Sequence, residues 1–107
     1  MLNVNTETIP GHEILETLDI VRGSTVRARH LGRDIFAGLR NLVGGEVNEY
    51  TKLMAHAREQ ALQRMNEEAT KLGANAVINV RFMTSQVMQG CSEILVYGTA
   101  VKTKAKD

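Results

Sequence analysis

There is no tryptophan in this chain, and only two tyrosines and two phenylalanines supply the aromatic area that usually dominates a core. The interior therefore falls to aliphatic residues, alanine and five methionines. A single cysteine excludes an intrachain disulfide, and no run approaches the roughly 18 apolar residues needed to span a bilayer. Thirteen Lys and Arg against twelve Asp and Glu leave a net charge of +1, which selects no class of partner. With 107 residues there is no room for a two-domain enzyme, nor for a barrel with its own active-site loops.

What is present describes one globular domain over residues 1–107, with a polar leader (1–11) ahead of an α/β core (12–104). A single proline, Pro10, marks the boundary between them. A domain this short buries only ~65% of its unfolded surface, so its stability is marginal unless another surface is covered. Oligomerisation is the expectation. The first 21 residues hold Glu7, Glu13, Glu16 and Asp19 and no Lys or Arg, which is the opposite of a secretory signal. A cytoplasmic protein with Cys91 as a reduced thiol follows from that reading.

Charge is balanced overall but unevenly placed. Arg22, Arg27, Arg29, Arg33 and Arg40 crowd into one stretch against Asp34 alone. One reading is a phosphate-binding patch, which would make the segment Arg22–Arg40 a site for anions or nucleic acid. The other is a solvated edge, or pairing with the acidic N-terminal segment of the same or a neighbouring chain. The second is preferred, because the aromatics that accompany nucleic-acid grooves are absent there.

From Ile14 to Arg29 the chain is rich in β-branched residues and lacks helical spacing, which predicts one long strand, bent at Gly23. Apolar residues at 35, 36, 39, 42 and 43 predict a short helix over 34–43, stopped at Gly44. The strongest periodicity follows. Val47, Tyr50, Met54, Ala57, Ala61, Met65, Ala69 and Leu72 step by three or four without a break. They predict a helix over 46–72, ~40 Å long, ended by Gly73 and lying across a whole sheet. Two further strands are predicted near 75–87 and 92–104. The last lacks the clean apolar–polar alternation of a sheet with one wet face. One layer of helix covers only one face, so a second copy of the chain is expected to cover much of the other.

No catalytic constellation assembles, and the chain does not read as an enzyme. Ser24, Ser85 and Ser92 sit in no nucleophile motif, and Glu67 and Glu68 leave a helix on different sides. Gly44-Gly45 lacks the spacing of a phosphate loop and reads as a helix–helix turn. His12 and His30 have no partner in sequence. His56 and Glu59, three apart on the long helix, could begin a metal site but read more simply as a wet surface pair. Cys91 with Met88 and Met83 forms a cluster of soft ligands suited to a thiophilic ion such as Cu(I). The simpler reading of the same residues is a hairpin turning at Gln89-Gly90, with sulfurs as apolar contacts.

Several blocks together resemble one family. They are Arg33-Asp34-Ile35-Phe36-Ala37, then Leu42-Val43-Gly44-Gly45 with Tyr50 five residues on, then Ala57-Arg58 with Ala61. Leu72-Gly73-Ala74-Asn75-Ala76-Val77 and Tyr97-Gly98-Thr99-Ala100-Val101 continue the series in order. The chain is similar to the YbjQ-like family, small bacterial and archaeal proteins described as "putative heavy-metal-binding". That resemblance implies an α+β two-layer fold, a long helix on a small antiparallel sheet, similar to dodecin subunits and assembled as a ring-shaped homopentamer. It implies no catalytic residues. Some members carry acidic residues where this chain has Arg81, Met83 and Ser85, so any metal would fall to Cys91, Met88 and Met83 as a soft ion. The matched polar residues Asp34, Arg40, Tyr50 and Arg58 read as ion pairs fixing helix packing and the subunit interface. Alternatively they form an anion or small-ligand pocket between subunits, with Arg40 and Arg58 as bidentate donors.

Overall fold

The computed structural model describes residues 1–28, 46–88 and 91–107. The described elements are β1 (Leu2–Asn3), β2 (His12–Ala28), α1 (Glu46–Lys71), β3 (Ala76–Met88) and β4 (Cys91–Ala105). The expected helix and the three long strands are all present, within two residues at most of their boundaries. The helix expected over 34–43, its Gly44 stop and the turn at Gln89-Gly90 lie outside the described residues.

The strands form one sheet in the order β1-β3-β4-β2. β4 is central and antiparallel to both long neighbours, from His12↔Ala105 to Ala28↔Cys91 on one side and from Ala76↔Val101 to Met88↔Cys91 on the other. β1 runs parallel to β3 through Leu2↔Ala76 and Asn3↔Val77. The sheet is therefore mixed rather than wholly antiparallel. A two-residue strand carries too little alternation to be read from sequence.

α1 lies on one face, called here the near face. Ala57, Ala61, Met65 and Ala69 are completely buried there against Val21, Val77, Ile94, Val96 and Ala100. The four-residue step and the small side chains bring helix backbone close to β2, and Gly23 is what allows it. A Cβ at that position would collide with the Ala61 carbonyl oxygen and lie 2.5 Å from the Met65 nitrogen. The pairing of β2 with β4 runs without a register shift through Gly23. The register of β2 slips between Ile14 and Glu16 and between Thr17 and Asp19 instead. Two side-chain bonds fasten the same seam: Thr25 Oγ1 donates to the Ala57 carbonyl at 3.3 Å, and Arg64 Nη1 donates to the Ser24 carbonyl.

The helix ends in a two-bond C-cap. Gly73 takes a left-handed φ of +85°, the Gly73 N–H donates to Thr70 and the Ala74 N–H reaches back to Ala69. Leu72, placed by periodicity on the buried stripe, instead falls in this cap and is 42% exposed. Asn75 then locks the strand that follows onto β4. Its amide donates to the Thr103 carbonyl and its carbonyl oxygen accepts from the Thr103 N–H, at 2.8 and 2.9 Å.

The leader joins the sheet. Beyond β1, the Val4 N–H donates to Val77, and the Asn79 and Val80 N–H groups donate to Thr6 and Val4. Asn79 sits in the bulge between Ile78 and Arg81 at φ +53°, a region Asn tolerates better than most residues. Reciprocal amide bonds between Asn3 and Asn66, 2.8 and 3.1 Å, tie β1 to the helix. Ile9 then crosses to the opposite, far face, where it packs on Ala76, Ile78 and Val101 beside Val4 and Ile14.

Candidate functional site

Register decides what the far face carries. Side chains alternate along β4, so Tyr97, Leu95 and Glu93 share the face opposite Val96 and Ile94. Across the three long strands this gives successive rows Ile20·Thr99·Ile78, Arg22·Tyr97·Arg81, Ser24·Leu95·Met83 and Val26·Glu93·Ser85. Among the described residues, the leader's Ile9 and Val4 cover the end nearest Ala76 and Val101. Beyond it, Ile20 is 63% exposed, Met83 49%, Val26 52% and Tyr97 39%.

Arg22 and Arg81 are both exposed and sit on either side of Tyr97 in one row. Arg81 Nη1 donates to the Asn5 and Val80 carbonyls at 2.8 and 3.0 Å, which turns it toward the leader while leaving other guanidinium donors available. Glu93 is four residues along β4 from Tyr97, roughly 13 Å away at strand rise. Tyr97 belongs to a block that sequence reading singled out only as a family signature. The signal that would have found the row is strand register, which needs the β3 bulge to be known.

The soft-ligand cluster is only partly drawn together. Met88 and Cys91 are direct register partners at the end of the β3–β4 ladder. Met83 pairs with Leu95 instead, four positions along β4 from Cys91 and roughly 13 Å away. One chain thus brings two of the three to a common position, which is too few to enclose an ion. Among the described residues there is no group of three or more His, Cys, Asp or Glu that could hold a metal ion.

Of the matched polar residues, Asp34 and Arg40 lie outside the described residues. Tyr50 is in the first turns of α1, and Arg58 lies eight residues on, about 12 Å along the axis, exposed to solvent. Most of the basic stretch lies outside the described residues, and two of the acidic residues near the N-terminus are paired across the sheet. Glu16 pairs with Lys102 at 3.7 Å and Glu13 with Lys104 at 4.0 Å, both across the β2–β4 ladder. Of the five arginines, Arg22 has a described place on the far face and Arg27 pairs with Ser92 near the end of β2, while Arg29, Arg33 and Arg40 lie outside the described residues. His56 and Glu59 lie on a shallow, open surface of α1 together with Leu62, Gln63, Glu67 and Lys71. No described helix is long and apolar enough to cross a membrane.

Comparison with known proteins follows the fold. A crystal structure of a protein of unknown function from Pediococcus pentosaceus, assigned to the DUF74 family, superposes with a TM-score of 0.63 over 97% of this chain and 98% of that one, at 16% identity. At that identity the likeness is one of fold alone. In sequence, a UPF0145 protein of Methanosarcina acetivorans is 60% identical over 95% of this chain and 96% of its own length. A UPF0145 protein of Archaeoglobus fulgidus is 59% identical, covering 92% of each. One from Hahella chejuensis is 59% identical over 94% of this chain and 97% of its own. The family model described as "Putative heavy-metal-binding" matches residues 1–104. The chain belongs to that YbjQ-like family, whose curated relatives carry the name UPF0145.

Proposed function

We propose that this chain is a subunit of a homo-oligomer and acts as a non-enzymatic binding module, holding a soft metal ion or a small ligand where subunits meet. The observation that carries the reading is the far face. Its leader-free half presents Ile20, Met83 and Tyr97 to solvent beside two arginines, with no lysine in the described rows. Tyr, Met and Arg are enriched at the centres of protein interfaces and Lys is depleted there. Shape supports the same conclusion. The radius of gyration is 17.3 Å, against ~13 Å for a self-contained domain of this length. A flat, elongated subunit of this kind completes its core against other copies.

On this reading the assembly is a ring-shaped homopentamer of dodecin-like subunits in the cytoplasm, and the family resemblance supports it. Symmetry also bears on metal binding. Met88 and Cys91 are too few alone, but a closed ring repeats the pair once per subunit, and the reading requires those pairs to converge near the axis. Elemental analysis of the purified protein tests this part. A stoichiometric soft metal that disappears in Cys91→Ala supports it, and no metal in either protein removes it. The oligomer is tested separately by light scattering on a sizing column at micromolar concentration, where a monomer would contradict it. The alternative, anion or nucleic-acid binding along Arg22–Arg40, gains an aromatic partner from the position of Tyr97 beside Arg22. It requires salt-dependent retention of short DNA or RNA, and no retention at low salt ends it.

A further inference from the structure

Several features of the chain converge on the position of one side chain, Arg81. Ile78 pairs with Thr99 and Arg81 with Tyr97, so β3 holds one residue more than β4 across this step. The extra residue reverses the faces of everything beyond it. Val80 packs on the near-face core, and Arg81 moves to the far face. Asn79 turns the bulge at φ +53°, a conformation few non-glycine residues adopt and one concentrated at functional sites. A Cβ on Gly98 would lie 2.6 Å from Val77 Cγ1 and 2.9 Å from the Ile78 carbonyl oxygen, so glycine is what leaves room for the bulge. The leader then holds it: the Asn79 and Val80 N–H groups donate to Thr6 and Val4, and Arg81 Nη1 donates to the Asn5 carbonyl.

The outcome is the row Arg22·Tyr97·Arg81, with its two arginines two strand spacings apart, about 10 Å. Both arginines are exposed, and Tyr97 between them is 39% exposed. Among the described residues, Arg22 makes no hydrogen bond or ion pair, and Arg81 uses one of its guanidinium nitrogens. The described carboxylate in the four rows, Glu93, stands roughly 13 Å from Tyr97 along β4. Two guanidinium groups thus flank an aromatic ring without a counter-charge beside them.

The chemistry of the row selects its ligand. A carboxylate has two oxygens and is satisfied by one guanidinium fork, whereas a phosphate monoester has three terminal oxygens and accepts from two forks at once. The Tyr97 ring, with the exposed apolar side chains Ile20 and Met83 in the neighbouring rows, suits a planar ring attached to that phosphate. A nucleic-acid strand requires a basic groove that follows several phosphates. The rows on either side, Ile20·Thr99·Ile78 and Ser24·Leu95·Met83, hold no cation. We infer that Arg22, Tyr97 and Arg81 form a binding site for a small phosphate monoester carrying a planar ring, the class to which nucleoside monophosphates belong. This names the chemistry of the small ligand in the reading above and rests on that reading for its closure against solvent.

The test is titration calorimetry on the full-length protein with AMP, inorganic phosphate and adenosine, its molar mass being followed by light scattering. AMP should bind, phosphate should bind more weakly, and adenosine should show no binding up to about 1 mM. Arg22→Gln and Arg81→Gln should each weaken AMP binding by about tenfold or more. Because Arg81 also holds the leader, Arg22→Gln is the decisive variant, read with an unchanged circular dichroism spectrum. Arg22→Lys, which keeps the charge without the fork, should fall between Arg22→Gln and the wild type. Tyr97→Leu should reduce AMP binding to the level of phosphate while leaving phosphate binding unchanged. An assembled wild type that binds neither AMP nor phosphate overturns this inference alone, as do adenosine binding as tightly as AMP, short RNA binding more tightly than AMP, or an Arg22→Gln variant that binds AMP as the wild type does. A monomeric wild type removes the oligomeric reading instead, and AMP binding that still depends on Arg22 in that monomer upholds the site.

Discussion

The two faces of the sheet are built from the same three strands and have opposite fates. On the near face Val21, Val96 and Ala100 are completely buried beneath an alanine-rich helix stripe, and Gly23 removes the one side chain that would hold the layers apart. On the far face the residues one position along, Ile20, Tyr97 and, on β3, Met83, are 39–63% exposed. Among the described residues, the leader's Ile9 and Val4 supply cover there at one end. The difference teaches that a β-strand apolar on both faces specifies two partners, of which the long helix α1 provides one.

Substitutions on the two faces should therefore differ in kind. The largest effect is expected from Gly23→Val, which forces a side chain into the backbone of α1 and should cost about 4 kcal/mol or more, read as loss of the urea unfolding transition. Met65→Ala should follow at about 3 kcal/mol, since Met65 is fully buried in the near-face core. Met83→Ala on the far face sharpens the contrast. It should change the unfolding free energy of the dissociated chain by less than about 1 kcal/mol while weakening association measurably. Asn66→Ala breaks the reciprocal amide pair with Asn3 and should cost about 1–2 kcal/mol, with hydrogen exchange of the Val4 and Val80 amides rising first. The smallest effect is expected at Lys102→Ala. Its ion pair with Glu16 has side chains 47% and 58% exposed, so at most about 0.5 kcal/mol is at stake.

Much of the fold was legible because its signals are periodic. The three- and four-residue step from Met54 to Ala69 located α1, and the mixed alternation of residues 92–104 pointed to a strand apolar on both faces. What stayed hidden depended on register. Leu2–Asn3 is too short to show a pattern, yet it makes the sheet mixed and anchors the leader through Asn3. The slip between Ile78 and Arg81 moves Arg81 into line with Tyr97, and no spacing in the sequence reveals that alignment. The same dependence separates Met83 from Met88 and Cys91, which looked like one cluster when counted along the chain. Gly23 was recognised as special, but its close approach to α1 was not read. A strand glycine serves a bend or a close approach equally well, and only the position of the Ala61 carbonyl distinguishes them.

The claim that other copies of this chain cover the far face is tested most directly by the molar mass of the purified protein in solution. Light scattering across a sizing column at micromolar concentration should return a single species at about five times the 11.8 kDa of one chain. A stable species of 11.8 kDa, with Ile20, Met83 and Tyr97 still open to solvent, would contradict it.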